Sequence, residues 1–150
     1  MRKILFLSLM LSTGVSAAGY SAEHKMGLGL NYPGISFKYL FSGAAAAEIR
    51  YQTTGNIHIG GVRAYYYFKQ YDVLKLFAGG ELSYIYFKGD VSEGSGMAGA
   101  VLAGGEYFFR DQMSFQADIG PAYILLGDRD TEVSLAGIEI VLNLGVNYYC

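Results

Sequence analysis

Apolar and polar side chains alternate along this chain from about residue 25 to its end, and this alternation constrains the fold more than any other feature. Between positions 113 and 125, the odd positions are mostly large and apolar and the even positions are mostly small or polar. A period of two residues is the signature of a β-strand. Because the apolar set is too bulky to fill a small barrel, we expect it to face outward. A sheet that is apolar outside and polar inside is typical of a transmembrane β-barrel.

Eight alternating segments follow one another, and turn-forming residues separate them. The turns are predicted at 32–34, 42–43, 54–56, 69–72, 89–96, 110–112 and 127–131. In the fourth segment the alternation slips by one residue, so that Ile57 and Ile59 are expected outside, with a β-bulge at Gly60–Gly61. An even number of strands returns both termini to one side. The sequence therefore predicts an all-β, eight-stranded, antiparallel up-and-down transmembrane β-barrel with periplasmic termini.

The first residues have the pattern of a secretory signal peptide. Arg2 and Lys3 are basic, positions 4–11 are apolar, and small residues precede a cleavage site after Ala17 or Ala18. We therefore expect a signal peptide at 1–17, a barrel at 18–150, and export to the bacterial outer membrane.

Composition excludes several other classes of protein. Charged residues make up 16% of the chain, below the quarter or so that is usual in soluble domains. Removing Arg2 and Lys3 from 11 basic residues leaves 9 against 13 acidic ones, which is not a nucleic-acid footprint. Cys150 is the only cysteine, so no internal disulfide can form. The sequence offers no metal-ligand spacing, and we expect no cofactor, no catalytic residue and a monomer.

The inward face of the predicted barrel carries charges of both signs, with at least one charge on every strand. An isolated charge in so narrow a space would be costly, so these charges must pair or hold water. Eight strands leave an interior just wide enough for side chains, which argues against a wide pore. The predicted structural network consists of Lys38, Glu48, Arg50, Arg63, Glu81, Glu106, Asp118 and Glu139, with Lys25 and Lys75 as further inward cations.

The stretch 104–111 with its polar turn, followed by the alternating segment 113–120 with the inward Asp118, resembles the hairpins of the small eight-stranded outer-membrane barrels, the OmpA/OmpX-like superfamily. The resemblance implies a non-enzymatic integral barrel of Gram-negative bacteria whose partners are outer-membrane lipid, lipopolysaccharide and, through strand eight, the barrel-insertion machinery. It also implies inward Glu and Arg pairs, which Glu48, Arg50, Arg63, Glu81, Glu106 and Glu139 would match. Chains of this family usually end in an aromatic residue, often Phe, whereas this chain ends in Tyr148-Tyr149-Cys150.

Three alternatives remain open at this point. The first is an outer-membrane enzyme that modifies lipid A, although His58 has no serine within two positions. The second is a narrow channel or transporter. The third is a soluble, exported, lipocalin-like barrel, which would require the apolar faces inside and the charges outside.

Overall fold

The computed structural model describes residues 25–89, 93–128 and 134–150. The predicted signal peptide at 1–17 and its cleavage sites at Ala17 and Ala18 lie outside this part of the chain. The strands are β1 (Lys25–Asn31), β2 (Gly34–Leu40), β3 (Ala45–Thr54), β4 (Ile57–Gln70), β5 (Leu74–Lys88), β6 (Glu93–Arg110), β7 (Met113–Asp128) and β8 (Ser134–Tyr149). Within the described residues, no helix has the length and apolar character needed to cross a membrane.

The strands close into a barrel. Each strand pairs antiparallel with its neighbour in the chain, and β1 pairs with β8 to complete the ring. This confirms the predicted eight-stranded, up-and-down topology. We call the end of the barrel that carries Lys25 and Cys150 the terminal end. The opposite end, which carries the turns at 32–33 and 55–56 and the connections β5–β6 and β7–β8, is the loop end.

The ring is staggered. Successive directly opposed residues lead from Leu28 on β1 around the barrel to Ile138 on β8. Leu28 itself pairs with Tyr148, and 148 − 138 gives a displacement of ten residues. Such a stagger tilts the strands by roughly 35–45° from the barrel axis.

The exterior is apolar, as the alternation predicts. Leu28 on β1, Val101 on β6 and Leu142 on β8 are each about two-thirds exposed, at 64%, 67% and 66%. Charged residues on the inward face are buried: Lys38, Glu106 and Asp118 are exposed by 3% or less. This distribution contradicts the lipocalin-like alternative, which requires the opposite arrangement of faces.

The predicted bulge at Gly60–Gly61 is wrong. Pairing between β4 and β5 runs without interruption from Ile57 opposite Phe87 to Tyr67 opposite Phe77, and the register shifts only between Tyr67 and Lys69. Ile57 and Ile59 therefore share the inward face with Arg63. The backbone of β4 therefore keeps its alternation through Gly60–Gly61 without a shift. The inward side chains instead change from polar to apolar toward the loop end, as the lumen does.

The predicted loop at 89–96 is also too long. β6 begins at Glu93, and its first residues continue the ladder with β5: Glu93 lies opposite Lys88 and Gly94 opposite Phe87. Glycine is required at 94 because a Cβ there would meet the Phe87 ring. The glycine-rich residues 93–96, which the sequence predicts to be a loop, therefore form the first residues of the long strand β6.

The wall of the barrel is uneven in height. β1 and β2 have 7 residues each, whereas β6 has 18 and β8 has 16. β1 pairs with residues 145–149 of β8. Within the described residues, positions 134–144 of β8 pair with β7 alone. The β1–β2 hairpin therefore forms a low segment of wall beside the tall strand β8.

Candidate functional site

The lumen contains three layers of side chains, and the layer nearest the terminal end is an aromatic cluster. Its members are buried at 5% exposure or less: Leu40, Ala46, Tyr65, Tyr67, Phe77, Phe108 and Tyr149. The rings of Tyr67 and Phe77 meet edge to face with centroids 5.7 Å apart, and those of Phe108 and Tyr149 lie 5.8 Å apart. These large side chains fill the lumen at this end.

Glu106 lies at the boundary between the aromatic cluster and the polar middle of the lumen, and it is fully buried. Its Oε2 is 3.0 Å from Lys38 Nζ, which supplies the compensating charge. The hydroxyl of Tyr67 donates to the same oxygen at 2.7 Å. Oε1 accepts from Ser114, Asn147 and Tyr149. With five donors, this carboxylate is both charge-paired and fully hydrogen-bonded, as a buried ion must be.

A second group of charges lies above Glu106, on β3, β4, β5 and β7. Arg63 contacts two carboxylates: its Nε donates to Glu81 and its Nη1 donates to Asp118 at 3.0 Å. Arg50 Nη1 donates to Glu81 at 3.3 Å, and its Nε is 3.8 Å from Glu48 Oε1. The sheet register explains this grouping, because Arg63 lies directly opposite both Glu48 and Glu81.

Gln116 and Tyr65 join the two groups into one network. Lys38 donates to Gln116 Oε1 at 2.8 Å, and Gln116 Nε2 donates to Asp118 at 3.2 Å and to the Tyr65 hydroxyl at 3.1 Å. That hydroxyl donates to Glu48 at 2.5 Å. Sequence reasoning did not assign these two residues to the network. Their inward parity was readable, but their level in the barrel was not.

Seven of the eight predicted network residues are therefore connected, and Glu139 is the exception. It lies on the inward face of β8, opposite Ala122, and it is exposed. No ion pair or hydrogen bond of Glu139 to another described residue is present. The inward residues around it are apolar, because the stagger of the ring places it well above the charges that share its parity. The prediction that Glu139 belongs to the network is wrong.

The buried charges balance without Glu139. Lys75 is 3% exposed, and its Nζ lies over the Tyr67 and Phe108 rings at 5.7 and 5.4 Å from their centroids. The cations of this region are Lys38, Arg50, Arg63 and Lys75, all buried, and the anions are Glu48, Glu106 and Asp118, also buried, with the half-buried Glu81. Four charges of each sign make this region electrically neutral. We call these eight residues, with Tyr65 and Gln116, the charge network.

The layer nearest the loop end is apolar and largely empty. A cavity of about 680 Å³ lies there, lined by inward residues of β4, β5, β7 and β8. A smaller cavity of about 130 Å³ lies below it and reaches Arg63 and Glu81 of the charge network. We call the larger space the upper cavity.

The remaining chemistry-bearing residues lie outside the lumen or at its ends. His58 faces the exterior, where its Nδ1 is 2.7 Å from the Tyr51 hydroxyl and its ring stacks on Tyr51 and Tyr86. Cys150 is exposed at the terminal end. Among residues 25–89, 93–128 and 134–150, no group of three or more His, Cys, Asp and Glu side chains could hold a metal ion.

The crystal structure of the N-terminal β-barrel domain of Pseudomonas aeruginosa OprF is similar to this structure, with a TM-score of 0.59. The similarity covers 87% of this chain and 98% of that domain, at 16% sequence identity. The two share one fold. This confirms, at the level of the fold, the resemblance to small eight-stranded barrels that the sequence predicts. No protein-family model matches the chain, and no curated protein matches it.

Proposed function

We propose that this protein is an integral β-barrel of the bacterial outer membrane, non-enzymatic, with a structural or surface-interaction role. The observation that carries the proposal is the inversion of its faces, with an apolar exterior and a neutral, buried charge network inside. So continuous an apolar exterior is unfavourable in water, whereas a protein that spans a bilayer requires one. The fold shared with the OprF domain supports the same conclusion.

Connection length supports one orientation of the barrel. The turns at the terminal end have two to four residues, and the longest connection, the five residues between β7 and β8, lies at the loop end. Outer-membrane barrels carry their short turns on the periplasmic side and their longer loops outside. We therefore propose periplasmic termini, removal of residues 1–17 on export, contact with lipid and lipopolysaccharide, insertion through β8, and a monomeric state.

The structural role rests on how the polar groups of the lumen are used. The carboxylates of the charge network accept hydrogen bonds from neighbouring side chains, which leaves them occupied as structural ions. His58 contacts the hydroxyls of Tyr51 and Thr53 on the exterior. A catalytic histidine needs a nucleophile and an orienting group at a site that substrate can reach, and no carboxylate of a described residue contacts His58.

Fractionation and a heat-modifiability gel test this proposal. The full-length chain is expressed in a Gram-negative host, and the outer membrane is separated from soluble and inner-membrane fractions. We expect the protein in the outer membrane, beginning at residue 18 or 19, and migrating faster in SDS before boiling than after. A soluble protein with an intact N-terminus and a single electrophoretic form would contradict the proposal.

A further inference from the structure

The upper cavity is built into the sequence. The inward residues of β4, β5 and β7 that line the cavity are branched or aromatic, whereas β8 contributes Gly137 to the lining. At Gly137 an added Cβ would meet nothing within 4 Å. The lumen therefore contains open space here, whereas near the terminal end it is filled with aromatic rings. At about 680 Å³, the cavity lies within the range of roughly 300–1,000 Å³ that is usual for small-molecule sites.

The upper cavity is closed at its lower end, toward the charge network. Its apolar lining includes Ile57, Ile59, Ile85, Phe87, Ile124 and Leu126. Below it, the smaller cavity reaches Arg63 and Glu81, and these side chains are held by the ion pairs of the charge network. A molecule that entered the upper cavity would therefore be retained above a closed floor, as in a binding site.

The cavity also opens sideways. Because β1 pairs with β8 only at 145–149, the wall beside positions 134–144 of β8 is missing above the β1–β2 hairpin. Eleven residues correspond to roughly 35 Å of strand. On the outer face of this same segment, Ile138, Ile140 and Leu142 are 73%, 69% and 66% exposed. If the barrel spans a membrane, this apolar stripe places the opening against lipid.

The opening combines an apolar interior with polar groups at its edge. Backbone groups of β8 on the side without a pairing strand cannot remain unsatisfied in hydrocarbon. Glu139 lines the cavity on the same strand, and its carboxylate is exposed. Lys88 also borders the cavity, but it has outward parity on β5, whereas Glu139 has inward parity on β8 beside the opening. At the opening, the site therefore favours a long apolar chain whose head donates hydrogen bonds, and Glu139 repels an anionic head.

We propose that the upper cavity binds a single-chain amphiphile that enters from the membrane through the opening beside β8, with a hydrogen-bond-donating ammonium head at Glu139. The alkyl chain lies along the apolar lining, and the head meets the carboxylate and the free edge of β8. This proposal rests on the proposed membrane location.

Tryptophan fluorescence provides the test, because the chain contains no native tryptophan. Phe87→Trp places a reporter in the upper cavity, and Ile140→Trp places one on the exterior. Both variants are reconstituted in phosphatidylcholine vesicles and titrated with a chain-brominated dodecylamine and the equal-length carboxylic acid. We expect saturable quenching at position 87 with at least tenfold preference for the amine, and unsaturated quenching without strong preference at position 140.

A matched pair of substitutions locates the binding. Gly137→Leu fills the cavity, whereas Gly60→Leu adds the same side chain to the exterior of β4, where a Cβ also meets nothing within 4 Å. We expect Gly137→Leu in the Phe87→Trp background to weaken binding at least tenfold and Gly60→Leu to leave it unchanged. Glu139→Gln should remove the preference for the amine.

The outcomes separate the two proposals. Quenching at position 140 by a brominated phosphatidylcholine establishes contact with lipid, and its absence would contradict the membrane location. If position 140 is quenched but quenching at position 87 fails to saturate, or is unaffected by Gly137→Leu, the binding site is wrong while the membrane location stands. Equal affinity for amine and acid in the Phe87→Trp variant without further substitution would overturn the role of Glu139.

Discussion

At the scale of the residue, Glu106 shows how a barrel interior tolerates a carboxylate that no water reaches. The charge is balanced by Lys38, and four neutral donors occupy the remaining acceptor capacity. Pairing alone would not offset the loss of hydration, because desolvating two ions costs several kcal/mol each. The hydrogen bonds from Ser114 and Asn147 are therefore needed, together with Lys38, to stabilise the buried carboxylate.

Removing the Lys38 ammonium should strongly destabilise the fold. We expect Lys38→Met to lower the free energy of unfolding by about 3–5 kcal/mol, because it removes the cation that is ion-paired and hydrogen-bonded to the buried Glu106 carboxylate. A urea refolding titration in lipid vesicles measures the loss. Lys88→Met is the control, since Lys88 is exposed near the loop end and its replacement should change stability by less than about 0.5 kcal/mol.

The double variant Lys38→Met/Glu106→Gln extends this prediction. A neutral amide needs no counter-charge, so the double variant should be more stable than Lys38→Met alone. If Lys38→Met and Lys88→Met have equal effects, or if Glu106→Gln worsens the lysine variant, the assignment of Lys38 as the essential partner of Glu106 is incorrect.

Residue parity in the sequence predicts which face a side chain occupies, but not its level along the barrel. Glu81 and Glu139 both have inward parity, yet only Glu81 reaches Arg63. The ten-residue stagger decides the difference, and it is a property of the closed ring that no single strand displays. For the same reason, Gln116 and Tyr65 could be placed inside from the alternation but not identified as the link between the two groups of charges.

At the scale of the element, β4 shows the limit of a two-residue pattern. The pattern locates a strand well where one face is polar without interruption, as at Ser114, Gln116 and Asp118 on β7. On β4 the inward face begins with Ile57 and Ile59 and continues with Arg63. When the inward face changes from apolar to charged along one strand, the sequence pattern looks the same as a shift of register. This is why the sequence predicts a bulge at Gly60–Gly61 that the structure does not contain.

The outer face of β8 should respond to charge according to depth. We expect Leu142→Arg to cost about 2–4 kcal/mol, because it places a guanidinium against hydrocarbon, and Tyr148→Arg to cost about 0–1 kcal/mol near the terminal end. Both residues face outward, at 66% and 47% exposure. Refolding titrations in vesicles compare them. Equal costs at the two positions would show that β8 does not cross a lipid layer.

At the scale of the whole molecule, the barrel should not conduct ions. The aromatic cluster fills the lumen at the terminal end, and the neutral charge network occupies its middle. Planar-bilayer recordings of the wild type should show no stable unitary current. Phe77→Ala should not create a pore by itself, because the charge network remains above the vacated ring. Large, stable currents from the wild type would restore the channel alternative.

The architecture was predictable because eight alternating segments with short turns leave few other ways to bury the polar face. The upper cavity was not predictable. It is lined by apolar residues of β4, β5 and β7 together with Gly137 of β8, and it depends on the closed register that brings these strands to one level. The alternation by itself suggested a lumen that is polar throughout, whereas the structure changes from rings to ions to empty apolar space.

The closing seam of the barrel has a consequence for the order of events during folding. β1 and β8 are joined through 5 residue pairs, whereas β7 and β8 are joined through 15. The seam also brings together residues such as Gly27 and Tyr149, which are 122 positions apart. Contacts of such long range form late, because the chain between them must lose its freedom first. The seam is therefore the last joint we expect to form during assembly and the first to part when the barrel is strained.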